Sequence, residues 1–463
     1  MTPTAITTQA GARAHGRALL TLALPLIGSN LAQNAIQFVD VVMLGWYDVS
    51  ALAAVSIATP YWFLLFLLGA GFAWAVTPLV AEAAEAGDMQ TVRRVTRMGI
   101  WLSTAAGLLF LPAFWWSGAV LRALGQEPEI AELAQSYLRI TGFGLIAALV
   151  AITFRSFLSA LEITRVILWV SIVSALINAG LNWVLIFGNL GAPELGIRGA
   201  AFASLTLQVG SLLGLGGYAM FRCREYDLFR RLWRMDGEIA KRVIRLGLPM
   251  GLTTVAEASL FSVSAIMMGW LGEVWLAAHG IALQLASLTF MIHLGFSQAA
   301  TVRAGRAYGR GDPAALRMGA LVALGYSGIV AAITVAVFLL IPETLTSGFV
   351  DPSDPLAADI LKAGVVLLAV AALFQIVDAA QVMVLGFLRG IQDTGVPLLI
   401  ATLSYYVIGL PAGYVLGFVA GYGGPGVWMG MMAGLGVAAV LLSMRFWRRM
   451  LRLSESAGRS ARP

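Results

Sequence analysis

Three carboxylic acids, Asp40, Glu257 and Asp378, stand deep inside stretches of sequence that are otherwise apolar. A charged side chain at the centre of a membrane helix costs about 2.5–3.5 kcal/mol on insertion scales, so each acid is by default a candidate for function. Burial disfavours a charged carboxyl and a bound cation restores it, so such groups can exchange a proton for Na+ or for an organic cation. That is the chemistry of antiport.

Asp40 has company. Ser29, Gln33 and Gln37 precede it at helical spacing and share its face, which must then look into a wet or protein-lined cavity. Asn178 and Asn182, one turn apart, offer further oxygens, and one carboxylate with amide oxygens suits a hard monovalent cation or a proton. Asp40, Asn178 and Asn182 are therefore the candidate Na+ ligands, although the asparagines would equally serve as plain interhelical hydrogen-bonding groups. Glu257 lies one turn from Phe261 and beside Thr253 and Thr254, and Asp378 falls between Phe374 and Gln381, so Phe261, Phe374 and Gln381, like Gln33 and Gln37, are candidate cavity-lining residues. Tyr61, Trp62, Phe290 and Met291 are candidate cavity walls for flat apolar cations, through stacking and cation–π contact, and Gln284 is a polar one.

Other chemistry is poorly represented. His279 and His293 are four helical turns apart and cannot share a metal, and the single cysteine, Cys223, supports neither a disulfide framework nor a thiolate site. Glycine-rich GYGGPG at 421–426 and LGLGG at 213–217 lack the Lys-Ser/Thr of a phosphate-binding loop. No enzyme activity and no cofactor beyond a coupling ion are expected.

The elements that position these acids are membrane helices. The 463 residues are 59% hydrophobic and 12% charged, with mean hydropathy +0.84, where soluble domains carry about 25% charged residues. Apolar runs long enough to cross a bilayer predict spans near 18–46, 51–77, 95–117, 133–153, 164–187 and 197–221, then 242–270, 275–299, 316–341, 358–386, 395–418 and 424–446. The polar start of the sequence shows no cleavable signal pattern, and the first helix is expected to direct insertion. With both termini cytoplasmic, all basic residues except Arg122, Arg139, Arg198 and Lys362 fall on the cytoplasmic side, as the positive-inside rule requires. The net charge of +6 is thereby a topological signal and gives no reason to invoke nucleic acid.

The sequence also repeats itself. LPLIGSNLAQNAIQFVDVVMLGW, ending at Trp46, aligns without a gap on LPMGLTTVAEASLFSVSAIMMGW, ending at Trp270, an offset of 270 − 46 = 224 residues. The same offset pairs Gly71-Phe72 with Gly295-Phe296 and Gly87-Asp88 with Gly311-Asp312. Six intervening helices give the two copies the same membrane orientation, a parallel repeat suited to alternating access. The expected organisation is an all-α polytopic membrane protein of twelve spans. It comprises a cytoplasmic tail (1–17), an N-lobe (18–221), an arginine-rich cytoplasmic linker with amphipathic character (222–241), a C-lobe (242–446) and a second tail (447–463). The acids break the repeat, since Ser264 stands where Asp40 would recur and Gln33 where Glu257 would, so the chemistry is expected to be divided between the lobes. Gly409, Gly413 and Gly417 predict a close helix contact, and Pro25, Pro249, Pro397 and Pro411 predict kinks.

Several stretches together resemble the multidrug and toxic compound extrusion (MATE) family: ALPLIGSNLAQNAIQFVDVVMLGW, NLGAPELGIRGAAFAS, GLPMGLTTVAEASLF, WLAAHGIALQ with TVRAGRAYGRGD, and FQIVDAAQVMVLGFLRGIQDTG. The likeness extends over essentially all twelve spans. Coexistence of Glu257 and Asp378 resembles the NorM-like branch. The resemblance implies an N-lobe cation site at Asp40, Asn178 and Asn182, with Ser204 as a fourth member, and C-lobe acids that take part in coupling. It further implies a monomeric secondary transporter in the bacterial inner membrane, exporting cationic amphipathic compounds or drugs in exchange for Na+ or H+. The sequence departs from the family at Gly280, where members often carry glutamine. A flippase of lipid-linked precursors is the alternative within the fold, and its cavity would be cationic rather than acidic.

Overall fold

The structure, a computed structural model, describes residues 11–460. The first ten residues of the expected N-terminal tail and the last three of the C-terminal one lie outside them. Twelve helices are long and apolar enough to cross a membrane, and the described residues contain no strand. They are α1 (Ala12–Tyr47), α2 (Val49–Glu85), α3 (Met89–Trp115), α4 (Pro128–Ala160), α5 (Arg165–Phe187) and α6 (Ile197–Arg222), then α7 (Gly237–Trp270), α8 (Glu273–Gly309), α9 (Pro313–Leu340), α10 (Ala357–Gly390), α11 (Gly395–Val419) and α12 (Gly423–Ser460). All twelve expected spans are present, and α12 runs on beyond its apolar stretch through the basic segment RFWRRMLRL.

Contacts divide the helices into two compact units. One is Gly28–Leu252, and the other joins the described residues up to Ile27 to those from Thr253 onward. Both boundaries fall inside helices, just past Pro25 in α1 and Pro249 in α7, the prolines that the repeat superposes. Within the first unit α4 is the central helix, packed against α2, α3 and α6; within the second α10 takes the same place against α8, α9 and α12.

The repeat governs the turns as well. Gly87 and Gly311 both adopt left-handed backbone (φ 73° and 64°) to end α2 and α8, a conformation that glycine enters without steric cost. Asp88 and Asp312 follow as N-caps, accepting from the backbone N–H of Thr91 and Ala315, each at 2.9 Å. At the next equivalent turn, Glu162 after α4 and Gln392 after α10 are left-handed too, although neither is glycine. The helix crossings obey the same rule. A Cβ on Gly71 of α2 would stand 2.2 Å from the carbonyl oxygen of Gly247 in α7, and one on Gly295 of α8 would stand 2.4 Å from Ile27 Cγ1 in α1. The α11 glycines do make the expected contact, since a Cβ on Gly430 of α12 would lie 2.1 Å from the backbone nitrogen of Gly413. α11 is not uniform, because π-helical turns occupy Ser404–Gly409 and Val415–Val419.

Candidate functional site

The unit Gly28–Leu252 encloses a cavity of about 280 Å³. Helix α1 supplies Gln33, Gln37 and Asp40 to its wall, which confirms the single polar face deduced from their spacing. Ser29, lowest on that face, is withdrawn from the cavity and hydrogen-bonds Ser171 of α5 at 2.6 Å. Across from Asp40, α5 brings up the two asparagines. Asn178 Nδ2 donates to Asp40 Oδ1 at 2.6 Å and Asn182 Nδ2 donates to the same oxygen. Both asparagines are fully buried, and both side-chain Oδ1 atoms have no hydrogen-bond partner.

That combination defines what the site can do. Two donors to one carboxylate oxygen are charge-assisted whenever Asp40 is ionised, worth about 1.5–3 kcal/mol each, and they fix the orientation of the carboxyl group. Turning either amide about its last bond would replace its N–H by an unpaired carbonyl oxygen, so the same three side chains present donors to a bare carboxylate or oxygens to a cation. Ser204 and Tyr137 share this wall. Trp62 lines the cavity as expected, with its Nε1 donating to the Thr141 carbonyl at 3.1 Å and its ring stacked on Phe66 at 5.1 Å. Tyr61 does not: its hydroxyl donates to the Ala113 carbonyl at 2.9 Å and its ring meets Phe114 edge-on, so it belongs to the packing between α2 and α3.

The second unit brings Glu257 and Asp378 into one electrostatic cluster. Arg389, Gln381 and Tyr405 belong to it, Arg389 and Tyr405 each within interaction range of Glu257. Asp378, Gln381 and Gln375 are buried, and Gln381 Nε2 donates to the Tyr405 hydroxyl at 2.6 Å. Glu257 Oε1, Asp378 Oδ1, Gln375 Oε1 and Gln381 Oε1 are all buried without a donor. Four unsatisfied acceptors in one region are unusual for a protein interior and call for a proton or a cation.

Several expected cavity residues do other work. Phe374 is fully buried, edge-on to Phe261 at 6.0 Å and to Trp428 at 5.4 Å, in an aromatic core that Trp428 completes by donating to His279 Nδ1 at 3.1 Å. His293 is likewise structural, bonded through Nδ1 to Ser327. Gln284 lines an open groove with Gly280, Glu273 and Phe349, apart from the acids. Phe290 and Met291 are half-buried on α8 and line neither this groove nor the cavity of the other unit.

Two arginines escaped the sequence reading. Arg155 and Arg389 were expected in cytoplasmic segments, yet each lies inside a helix that extends past its apolar stretch. Arg155 is buried on the wall of the Asp40 cavity and donates to Asn30 Oδ1 at 2.6 Å. Arg389 sits in the last turn of α10 and reaches Thr254 Oγ1 at 3.4 Å.

A family model described as MatE matches residues 25–184 and again 249–415, two stretches whose starts differ by 249 − 25 = 224 residues, the offset of the repeat. The chain is 42% identical over 448 residues to a probable multidrug resistance protein NorM of Rhizobium meliloti strain 1021, with 96% of each chain covered. It is also 42% identical over 434 residues to the probable NorM protein of Agrobacterium fabrum strain C58, with 93% of each covered. Among solved structures, an outward-facing multidrug resistance MATE family transporter of the MOP superfamily matches with TM-score 0.86 at 22% identity, over 95% of this chain and 97% of that one, a likeness of fold. By the double match and by full-length identity to these relatives, the chain belongs to the MATE family and is one of its NorM-like members.

Proposed function

We propose that this multidrug efflux transporter exports cationic, amphipathic compounds by alternating access, in exchange for Na+ or H+ bound at its buried carboxylates. The observation that carries the reading is the Asp40 carboxylate held by Asn178 and Asn182 on the wall of a cavity that also presents Trp62, Phe66 and Tyr137. A flat cation entering there meets aromatic faces and one carboxylate, with the Arg155 guanidinium on the same wall turned toward Asn30, and the coupling ion competes for that same carboxylate. In this reading Na+ is held by Asp40 with the amide oxygens of Asn178 and Asn182, and Ser204 is the fourth ligand. A proton instead makes the carboxyl a neutral donor and leaves both amides unturned.

The second unit supplies a separate proton- or cation-accepting group at Glu257 and Asp378, supported by the four donorless acceptors there. The flippase alternative is not favoured, because the cavity carries an acid with its own dedicated donors. By this reading the chain is monomeric, lies in the bacterial inner membrane with both termini cytoplasmic, and acts on drugs and ions within the lipid bilayer.

The test is efflux of a fluorescent organic cation from proteoliposomes, with Na+ and pH gradients imposed one at a time. Wild type should respond to one of the gradients, and Asp40→Asn, Glu257→Gln and Asp378→Asn should each uncouple transport from it. Normal coupled transport by all three variants would sink the mechanism.

A further inference from the structure

The first unit carries a second, strongly basic concavity that drug export does not use. It has a volume of about 680 Å³ and lies between the start of α3 and the linker that precedes α7. Arg93, Arg94 and Arg97 face it from α3, and Arg230, Arg231 and Arg234 face it from the linker. Three acids are near. Asp227 pairs with Arg93 at 3.6 Å and with Arg230 at 3.5 Å, while Asp236 and Glu238 pair with Arg94 at 2.5 and 3.5 Å. Arg97, Arg231 and Arg234 have no carboxylate partner among the described residues.

Arg97 is the informative member. It is only 5% exposed, its Nη1 donates to the Arg231 carbonyl at 3.4 Å, and its Nε–H is buried with nothing to accept it. A buried guanidinium donor without an acceptor is costly, and around this one the like charges of Arg93, Arg94 and Arg234 are met only by Asp236, which lines the cleft and is already paired with Arg94. Repulsion of that kind is tolerated where an anion completes the arrangement, and guanidinium forks match the oxygens of a phosphate.

The rim is apolar. Trp233 and Met235 are 78% and 67% exposed, and Trp101 is 37% exposed while its Nε1 donates to the Leu232 carbonyl at 2.7 Å. Exposed indole rings such as these are the usual anchors at the level of lipid headgroups.

We propose that this arginine cleft is a binding site for a phosphate-bearing anion, presented by the headgroup of an acidic phospholipid. The phosphate sits between Arg97 and the linker arginines, and its acyl chains leave past Trp101 and Trp233. Occupancy ties the linker to α3.

The purified full-length protein in neutral detergent can be titrated with phosphatidylglycerol and with phosphatidylcholine, and bound lipid counted by native mass spectrometry. Equilibrium dialysis against labelled inorganic phosphate forms the second arm. Phosphatidylglycerol should bind at least fivefold more tightly than phosphatidylcholine, in line with the known attraction of basic clusters for acidic headgroups. Arg97→Gln should weaken it roughly tenfold, and Arg97→Lys less, since an ammonium lacks the fork. The double variant Arg231→Gln with Arg234→Gln changes two exposed side chains, so it keeps the test valid should Arg97→Gln fail to fold. Inorganic phosphate bound in the dialysis arm, and lost in the arginine variants, would support the site and identify a soluble anion as its source. Equal binding of the two lipids with no phosphate bound would overturn the proposal. So would unchanged affinity in a folded arginine variant.

Discussion

The acids of the two units solve the same problem in opposite ways. Asp40 borders a cavity and receives two amide donors, so its charge is supported by the protein itself. Asp378 is 2% exposed and its Oδ1 has no donor, while Glu257 nearby leaves Oε1 unbonded and has Gln381 and Arg389 as its neighbours. The first arrangement holds a carboxyl on a cavity wall with donors fixed to one oxygen, which suits a group that must meet a bulky organic cation. The second leaves acceptors hungry in a dry place, which suits a small ion and excludes a large one. Divergence of the repeat at positions 40 and 257 is thus a divergence of solvent as well as of sequence.

Neutralising each acid in turn should separate the two designs most widely. Asp40→Asn removes the carboxylate from the cavity wall, and we expect drug transport to fall more than tenfold while the melting temperature in detergent stays near that of wild type. Asp378→Asn places amide N–H donors among unsatisfied acceptors, so coupling should fail while thermal stability holds or rises. Efflux and melting measured on both variants test this. A marked loss of stability in Asp378→Asn would show that its carboxyl already has a partner and would erase the contrast.

The helix crossings offer the next largest effect. Gly71→Ala and Gly295→Ala act at equivalent positions, but the first drives a methyl into backbone alone, at Gly247 and Gly251, and the second into the Ile27 side chain at 2.4 Å as well as the Ile27 backbone. A side chain can turn aside where a backbone cannot. We expect both variants to be destabilised, Gly71→Ala by about 1–3 kcal/mol, the usual range for overpacking, and Gly295→Ala by less only to the extent that Ile27 Cγ1 can move, since the Ile27 backbone nitrogen stands 2.9 Å away. Thermal melting of the two variants decides the order, and equal losses would mean that the crossing at Ile27 is as rigid as the one at Gly247.

Tyr405→Phe is a smaller perturbation confined to the dry site. It removes the hydroxyl that accepts from Gln381 Nε2, so the amide keeps only its interaction with Glu257, at a cost of about 1 kcal/mol. Transport by that variant should retain its drug affinity, because the Asp40 cavity is untouched.

Much of this arrangement was legible before any coordinates. The 224-residue offset singled out Gly71, Gly87, Asp88 and their counterparts, and each proved to mark a crossing, a left-handed turn or a cap. The Asp40 face followed from helical spacing alone, because residues three and four apart must share a side. Arg155 and Arg389 were hidden because hydropathy registers where apolar stretches stop and says nothing of helices that continue, buried by protein instead of lipid. Among the aromatic residues, Trp62 and Tyr61 are neighbours in sequence yet one lines the cavity and the other packs against Phe114. Composition cannot make that distinction, since it depends on the rotation of a helix about its axis and on which neighbour covers each side. Tyr137, on the cavity wall, was missed for the same reason.

The caps provide the mildest comparison and the cleanest one. Asp88→Ala and Asp312→Ala remove equivalent side-chain acceptors from the first turns of α3 and α9, and each should cost about 1 kcal/mol. Asp88 differs in one respect: the Thr91 hydroxyl also donates to it, at 2.6 Å, and these bonds hold its carboxyl below the usual carboxylate range. A group whose pKa is lower in the folded state contributes stability that is fully present above its unfolded value, near 3.9, and is lost as pH falls through the folded value. The Asp88 variant should therefore differ from wild type at pH 6 and converge on it in acid, with Thr91→Val giving part of the same effect. A melting difference that persists unchanged into strong acid would mean that the cap acts through the helix backbone and not through the ionised carboxylate.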